Sequence, residues 1–295
     1  MKLTRDCSVT SRQNRRKAKA VLSLDFARQV YRRSGAPIEL GSILNFSRAT
    51  SGIRVGESGE IETAAVDVLR RDHVLGSGVF RGVLFEPEAT NLLSFSNDFN
   101  SQGWFGHWSK PNFSTGLAAP DGSNTGMGWN CADTTGGPDS LRGGLIAKDE
   151  GFTGTSTVSI WLRASAPVEM RFGQSDGNAK TINVTTVWQR FTYTETLPNA
   201  QDRVFVLSEN SSAEIDVEIW GAQVEIGSEA TTNIFTYGGA STRGADVAGL
   251  SGINGTFDVT LTYDDESQDR LEGQSIGEGW WPILRRKHLK HLLIA

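Results

Sequence analysis

The chain has 295 residues, 38% of them hydrophobic: too many for one compact sandwich, and apolar enough to bury a core, which excludes wholesale disorder. Two cysteines far apart, Cys7 and Cys131, exclude a disulfide framework and a cysteine metal site, and no apolar run approaches the ~18 residues of a membrane span. The net charge of −5 is unevenly spread: residues 1–33 carry +8, residues 282–295 carry +4, and the stretch between has 15 Lys/Arg against 32 Asp/Glu, so basic ends flank an acidic body.

The start, MKLTRDCSVTSRQNRRKAKAVLSL, has charge but no apolar segment long enough for a secretory signal, so synthesis in a bacterial cytoplasm is expected. Residues 1–35 are expected to form a basic attachment segment, with Arg12, Arg15, Arg16, Lys17 and Lys19 as anchoring side chains. Its second half, LSLDFARQVYRRSG, is apolar-anchored and fits either a strand or a short helix. Residues 36–90 hold short strand-like runs, the last of them GVFRGVLFEP, bounded by Gly78 and Pro87.

Residues 91–235 alternate densely. Val158, Ile160 and Leu162 oppose Ser159, Trp161 and Arg163; Met170 and Phe172 oppose Glu169 and Arg171; Ile215, Val217 and Ile219 oppose Asp216, Glu218 and Trp220. With WQRFTYTETL and RVFVLSEN, at least five strands arrive with no helix-period segment between them. That spacing predicts an all-β chain with an antiparallel sandwich, not βαβ units. Residues 236–255 read as a glycine-rich connector. Residues 256–295 read as a small C-terminal β domain, a hairpin through Phe257, Val259, Leu261 and Tyr263 followed by one more element. That element fits a basic amphipathic helix by charge, but Pro282 and the preceding hairpin favour a strand through LKHLLIA.

GQSIG, residues 273–277, has the spelling of a serine-hydrolase elbow. A working elbow needs a helix after Ser275 and triad partners beyond it. EGWWP follows instead, with Glu278, His288 and His291 crowded into twenty residues, and upstream His73 and His107 lack a supporting pattern. The match is read as chance and no catalytic residue is assigned, although paired carboxylates for glycoside hydrolysis are a property of the fold that sequence does not exclude. The loop acids Asp98, Asp121 and Asp133 could hold Ca²⁺, but their spacing is irregular. Asp264, Asp265 and Glu266 read as a solvated turn. No cofactor or metal is expected.

The positive signal is aromatic. Eight tryptophans are present, and flat rings beside polar side chains are what sugar binding requires: the ring stacks on the C–H face of a pyranose while polar groups bond its hydroxyls. Trp104, His107 and Trp108 in GWFGHW, Trp129 in a second glycine-rich stretch, and Trp161, Arg163 and Arg171 on strands are the expected glycan contacts, whereas Trp188 and Trp220 are expected in the core.

The order LDFARQVYRRSG, FSRATSGIRVGESGEIET, FRGVLFEPEATNLLSFSNDF resembles a series recurrent in bacteriophage virion proteins, chiefly fibres, spikes and tail proteins, and the head spikes of gene transfer agents. The segment ending IWGAQVEIGSEATTNIFTYGGASTRGADVAGLSG is similar to carbohydrate-binding-module-like jelly rolls in those proteins, and FDVTLTYDDESQDRLEGQSIGEGWWPI looks like the small β domain that often follows. The resemblance covers roughly residues 22–285. It implies a non-enzymatic virion protein that docks on capsid or tail proteins, oligomerises as a trimer or as a pentamer at a vertex, and binds host surface polysaccharide. A capsular depolymerase and a purely architectural decoration protein are the alternatives. The acidic body argues against nucleic acid as the partner of the basic start.

Overall fold

The computed structural model describes residues 20–107, 112–130, 144–147, 153–174, 178–198, 205–209 and 216–295; at 105–107, 130, 144–147 and 205–209 the description is of backbone. The anchoring residues Arg12, Arg15, Arg16, Lys17 and Lys19, with Cys7, Trp108, Cys131 and Asp133, lie outside the described residues. The fold is all-β as expected, with no α-helix among the described residues and hence no helix long and apolar enough to cross a membrane.

Two antiparallel five-stranded sheets form the sandwich. One runs Trp104–His107, Gly144–Ala147, Phe205–Glu209, Val168–Gly173, Lys180–Val184; the other runs Asn112–Leu117, Gly126–Asn130, Asp216–Ile226, Gly154–Ala164, Gln189–Leu197. Apart from the hairpins Asn112–Leu117/Gly126–Asn130 and Val168–Gly173/Lys180–Val184, successive described strands switch between sheets, which is jelly-roll topology. Period-two alternation aims one face of each strand at the other sheet. Val158, Ile160, Leu162, Met170, Phe172, Val217 and Ile219 fill the space between, each at most 1% exposed, and each such side chain contributes roughly 1.5–3 kcal/mol by leaving water.

The outward face of the second sheet departs from simple alternation. Thr157, Ser159, Gln223 and Glu225 are buried although they point away from the sandwich interior. The segment after Ile226 folds back across them: Ile234 N–H donates to Gln223 Oε1 at 2.8 Å, Thr231 N–H to Glu225 Oε2 at 2.9 Å, and Asn233 Nδ2 to Gly221 O at 2.9 Å. Gly221, at φ +63°, forms a bulge: Gly221 and Ala222 together oppose Ile160, between the Ser159–Gln223 and Trp161–Trp220 pairs. The bulge resets the alternation, so Ala222 and Val224 return to the core while Trp220 stays on the outer face, buried beneath Phe235 at 5.0 Å between ring centroids.

The remaining strands do not fall into the expected consecutive segments. Leu22–Asp25, Val30–Arg33 and Ala36–Pro37 join Arg70–His73, Phe80–Leu84, Gly255–Tyr263, Gln268–Ile276 and His288–Ile294 in one eight-stranded sheet. Leu22 pairs with Ile294 and Leu24 with Leu292, and the His288–Ile294 strand also pairs with Gly255–Tyr263. LSLDF is thus a strand and not a helix, the terminal basic stretch is a strand as favoured, and both lie beside each other. Leu22, Leu24, Phe26, Val83, Leu261 and Leu292 form the core of this sheet, all fully buried.

A buried ion cluster ties the units together. Arg70 donates to Glu86 at 2.9 Å, to Thr232 Oγ1 at 2.8 Å and to Asp246; Arg48 donates to Asp246 at 3.1 Å; Arg243 lies 3.6 Å from Glu86. Arg48 comes from FSRAT, Glu86 from LFEP, and Arg243 and Asp246 from STRGAD. These three stretches, far apart in sequence, are therefore parts of one interior lock. Burial by itself would raise the pKa of Glu86, but Arg70, Arg243, Lys287 and the Thr232 hydroxyl hold it down at about 2.

Candidate functional site

The predicted glycan contacts are not one site. Trp104 is 3% exposed, its indole N–H donating to Phe95 O at 2.7 Å and its ring 4.9 Å from Phe99; Trp129 is fully buried. Both rings are enclosed in the sandwich core, where no sugar can stack on them. The expectation of outward rings is corrected there: in GWFGHW and GMGWN these positions fall on the inward side of their strands. The side chain of His107 and all of Trp108 lie outside the description. Arg171 sits on the other sheet from Trp161, in register with Thr181 and Ser208. Arg163 donates to Glu218 at 2.7 Å and lies 4.9 Å over the ring of Trp188. Trp188 is thus a half-buried platform for an arginine just ahead of its strand, not the core residue expected. The acids Asp98 and Asp121 cap their own turns, accepting from Asn100 N–H and from Ser123 N–H.

Trp161 is different. In the antiparallel register it stands directly opposite Arg190 on one side and Trp220 on the other, so indole and guanidinium are neighbours on the outer face. Its indole N–H donates to Asn233 Oδ1 at 2.8 Å, which fixes the ring. Trp161, Arg190 and Thr192 form one wall of a cavity of about 410 Å³, within the ~300–1,000 Å³ range of ligand clefts. The hairpin Gly52–Val55/Ile61–Ala64 supplies Ile53, Val55 and Ile61, the eight-stranded sheet supplies Asp72, His73, Arg81 and His288 with Lys287 just ahead of its last strand, and the fold-back segment closes it with Thr232 and Asn233.

The polar groups on the sheet side are held by one another. His288 Nε2–H donates to Asp72 Oδ2 at 2.7 Å, while Asp72 Oδ1 accepts from Val55 N–H at 2.7 Å. His73 Nδ1 is 3.0 Å from Val55 O, and since a carbonyl only accepts, that nitrogen carries the proton. Arg81 and Arg286 both donate to Asp264, at 3.1 and 2.9 Å; burial pushes that carboxyl up, and the two guanidinium hydrogen bonds bring it below its ordinary value.

Among the described residues Arg190 is held by neutral oxygens: it donates to Thr231 O at 2.6 Å and to Ser159 Oγ at 2.9 Å. Burial lowers its pKa, partly opposed by Glu225 and Glu86 nearby. The arrangement joins an aromatic ring, a guanidinium, an amine and two imidazoles around one opening, which suits a hydroxyl-rich ligand. Ser275 lies elsewhere, paired with Thr256 within a hairpin, and the chain after it turns at Glu278–Gly279 without entering a helix, as expected for a chance elbow.

Sequence reasoning found Trp161 and missed Arg190, His73 and His288 as neighbours. Arg190 could have been found: it alternates with Thr192 and Thr194 on the exposed side of WQRFTYTETL. The histidines come from strands far apart in sequence, and only the sheet brings them to this opening.

No family model matches the chain, and no curated protein matches it. Among solved structures it is similar to a carbohydrate-binding module of type CBM4 (21% identity, 48% of this chain and 95% of that one, TM-score 0.30). It is also similar to the CBM22-1–GH10 modules of endo-1,4-β-D-xylanase 10B from Clostridium thermocellum, complexed with xylohexaose (9%, 50% and 30%, TM-score 0.30). A third is the CBM22-1 xylan-binding domain of Paenibacillus barcinonensis Xyn10C (10%, 51% and 98%, TM-score 0.24). The chain thus matches 30% of the length of the second of these proteins.

Proposed function

We propose that the chain is a non-enzymatic attachment protein of a phage or phage-like particle, a head spike or tail fibre, and that the cavity beside Trp161 binds host surface polysaccharide. The observation that carries the binding half is the register pairing of Trp161 with Arg190 on one wall of the 410 Å³ cavity. A ring face and a guanidinium side by side offer a pyranose both of the contacts it uses, C–H stacking and hydrogen bonds to its hydroxyls. The virion half is supported by the order of FSRAT, LFEP and STRGAD, which meet in the buried ion cluster. The basic start, with Arg12, Arg15, Arg16, Lys17 and Lys19, docks on acidic capsid or tail proteins in this reading. A trimer, or a pentamer at a vertex, multiplies weak single contacts by an avidity of ~10²-fold or more.

The test uses the full chain and surface polysaccharide extracted from a bacterium the particle adsorbs to. Trp161→Ala is expected to weaken binding at least about tenfold, the loss of one good contact, while the circular dichroism spectrum stays unchanged. Polysaccharide recovered after incubation is expected at its original chain length; shortened chains would make the protein a depolymerase instead. Binding untouched by Trp161→Ala would place the glycan site elsewhere, and no binding by the unaltered chain would leave an architectural role.

A further inference from the structure

We infer that the sugar taken by this cavity is acidic, a carboxylate-bearing residue such as a hexuronate, and that Arg190 reads its charge. The inference rests on the glycan-binding reading above and adds the ligand's charge to it.

Three features carry it. Arg190 lines the cavity, and among the described residues no carboxylate stands within ion-pair distance of it; its donors go to a backbone carbonyl and a serine hydroxyl. Its Nε is buried and has no hydrogen-bond partner among the described residues, a feature it shares with Arg70, Arg71 and Arg243. A guanidinium has five N–H donors in a planar fork that matches a carboxylate, and leaving such a charge without its counterion away from water is costly. The other arginines of the interior contrast with it. Arg48, Arg70 and Arg243 are each within 4 Å of Glu86 or Asp246. Arg71 also lacks a carboxylate among the described residues, donating to Phe26 O and lying over the ring of Phe80, but it does not line the cavity; Arg190 does.

The surroundings have the same sign. Lys287 lines the cavity with its side chain partly exposed and its ammonium 3.7 Å from Glu86, donating to Ala230 O at 3.5 Å. Arg81 stands at the rim, paired with Asp264. Among the described residues one carboxylate lines the cavity, that of Asp72, and both its oxygens are engaged, one by His288 and the other by Val55 N–H. A neutral sugar would leave Arg190 without a counterion, whereas a carboxylate would pair with it while the pyranose ring lies against Trp161, its cross-strand neighbour.

The experiment measures affinity of the full chain for fragments of polygalacturonate, alginate and hyaluronate, each beside a carboxyl-reduced counterpart of the same backbone. At least one acidic fragment is expected to bind at least about tenfold tighter than its reduced form, the scale of one charge-assisted bidentate contact. That advantage should shrink in about 0.5 M NaCl, where charges are screened within a few ångströms, and vanish in Arg190→Gln, which is expected to bind acidic and reduced fragments equally well. The comparison of acidic and reduced fragments on the unaltered chain decides the question even if the variant folds poorly. Reduced fragments binding as tightly as acidic ones would overturn the charge assignment and leave glycan binding standing. If no fragment of either kind binds, both proposals fall.

Discussion

At the scale of single residues, three kinds of side chain that look alike in the sequence have separate fates. Trp104 and Trp129 are core, Trp161 lines the cavity, and Trp188 carries an arginine. Trp129→Ala is expected to cost about 3–5 kcal/mol in denaturant unfolding through the cavity it leaves; a loss near zero would mean the ring is not enclosed. Glu86 carries the pH dependence. Its folded-state pKa of about 2 lies below the ordinary 4.5, so its contribution is fully present above about pH 4.5 and is lost as pH falls towards 2. Glu86→Gln leaves Arg70 and Arg243 with Asp246 as their one shared carboxylate among the described residues and is expected to destabilise the fold by about 3 kcal/mol at neutral pH. The same variant should flatten the stability profile between pH 4.5 and 2; an unchanged profile would place the acid sensitivity in other carboxylates.

At the scale of elements, the inward half of the sandwich was legible because period-two alternation is local: Val158, Ile160 and Leu162 announce their face without help. The bulge was not. Gly221 breaks the alternation of IDVEIWGAQVEI, and only the offset pairing with Ser159 and Trp161 shows that two residues share one partner there. Adding a Cβ at Gly221 would strain a φ of +63° and meet Asn233 Nδ2 at 2.5 Å, the same amide group that holds the Trp161 indole. Gly221→Ala is therefore expected to lower stability by about 1–2 kcal/mol and to weaken glycan binding as Asn233 shifts. Full stability with full binding would show the bulge to be dispensable. The His288–Ile294 strand sits between Gly255–Tyr263 and Leu22–Asp25. Removing residues 288–295 should expose both neighbours, read as rapid proteolysis of the eight-stranded sheet; a protease-resistant product would contradict that central role.

At the scale of the whole molecule, the expectation of consecutive segments failed because strand pairing is not a local property. Nothing in LSLDF or LKHLLIA says that Leu22 will face Ile294, and no periodicity reports that Arg48, Glu86 and Asp246 will meet. The same long-range closure builds the cavity, since one wall belongs to the sandwich and the other to a sheet that gathers residues 22–37, 70–84 and 255–294. Ring, guanidinium and histidines are each ordinary in sequence, and the closure is what sets them around one opening. The most direct measurement is a crystal structure of the full chain with a bound acidic oligosaccharide. The ring of Trp161 should lie against a pyranose whose carboxylate is within hydrogen-bond distance of Arg190. Sugar density on another face of the sandwich, with the cavity between Trp161 and His288 filled only by water, would contradict the account.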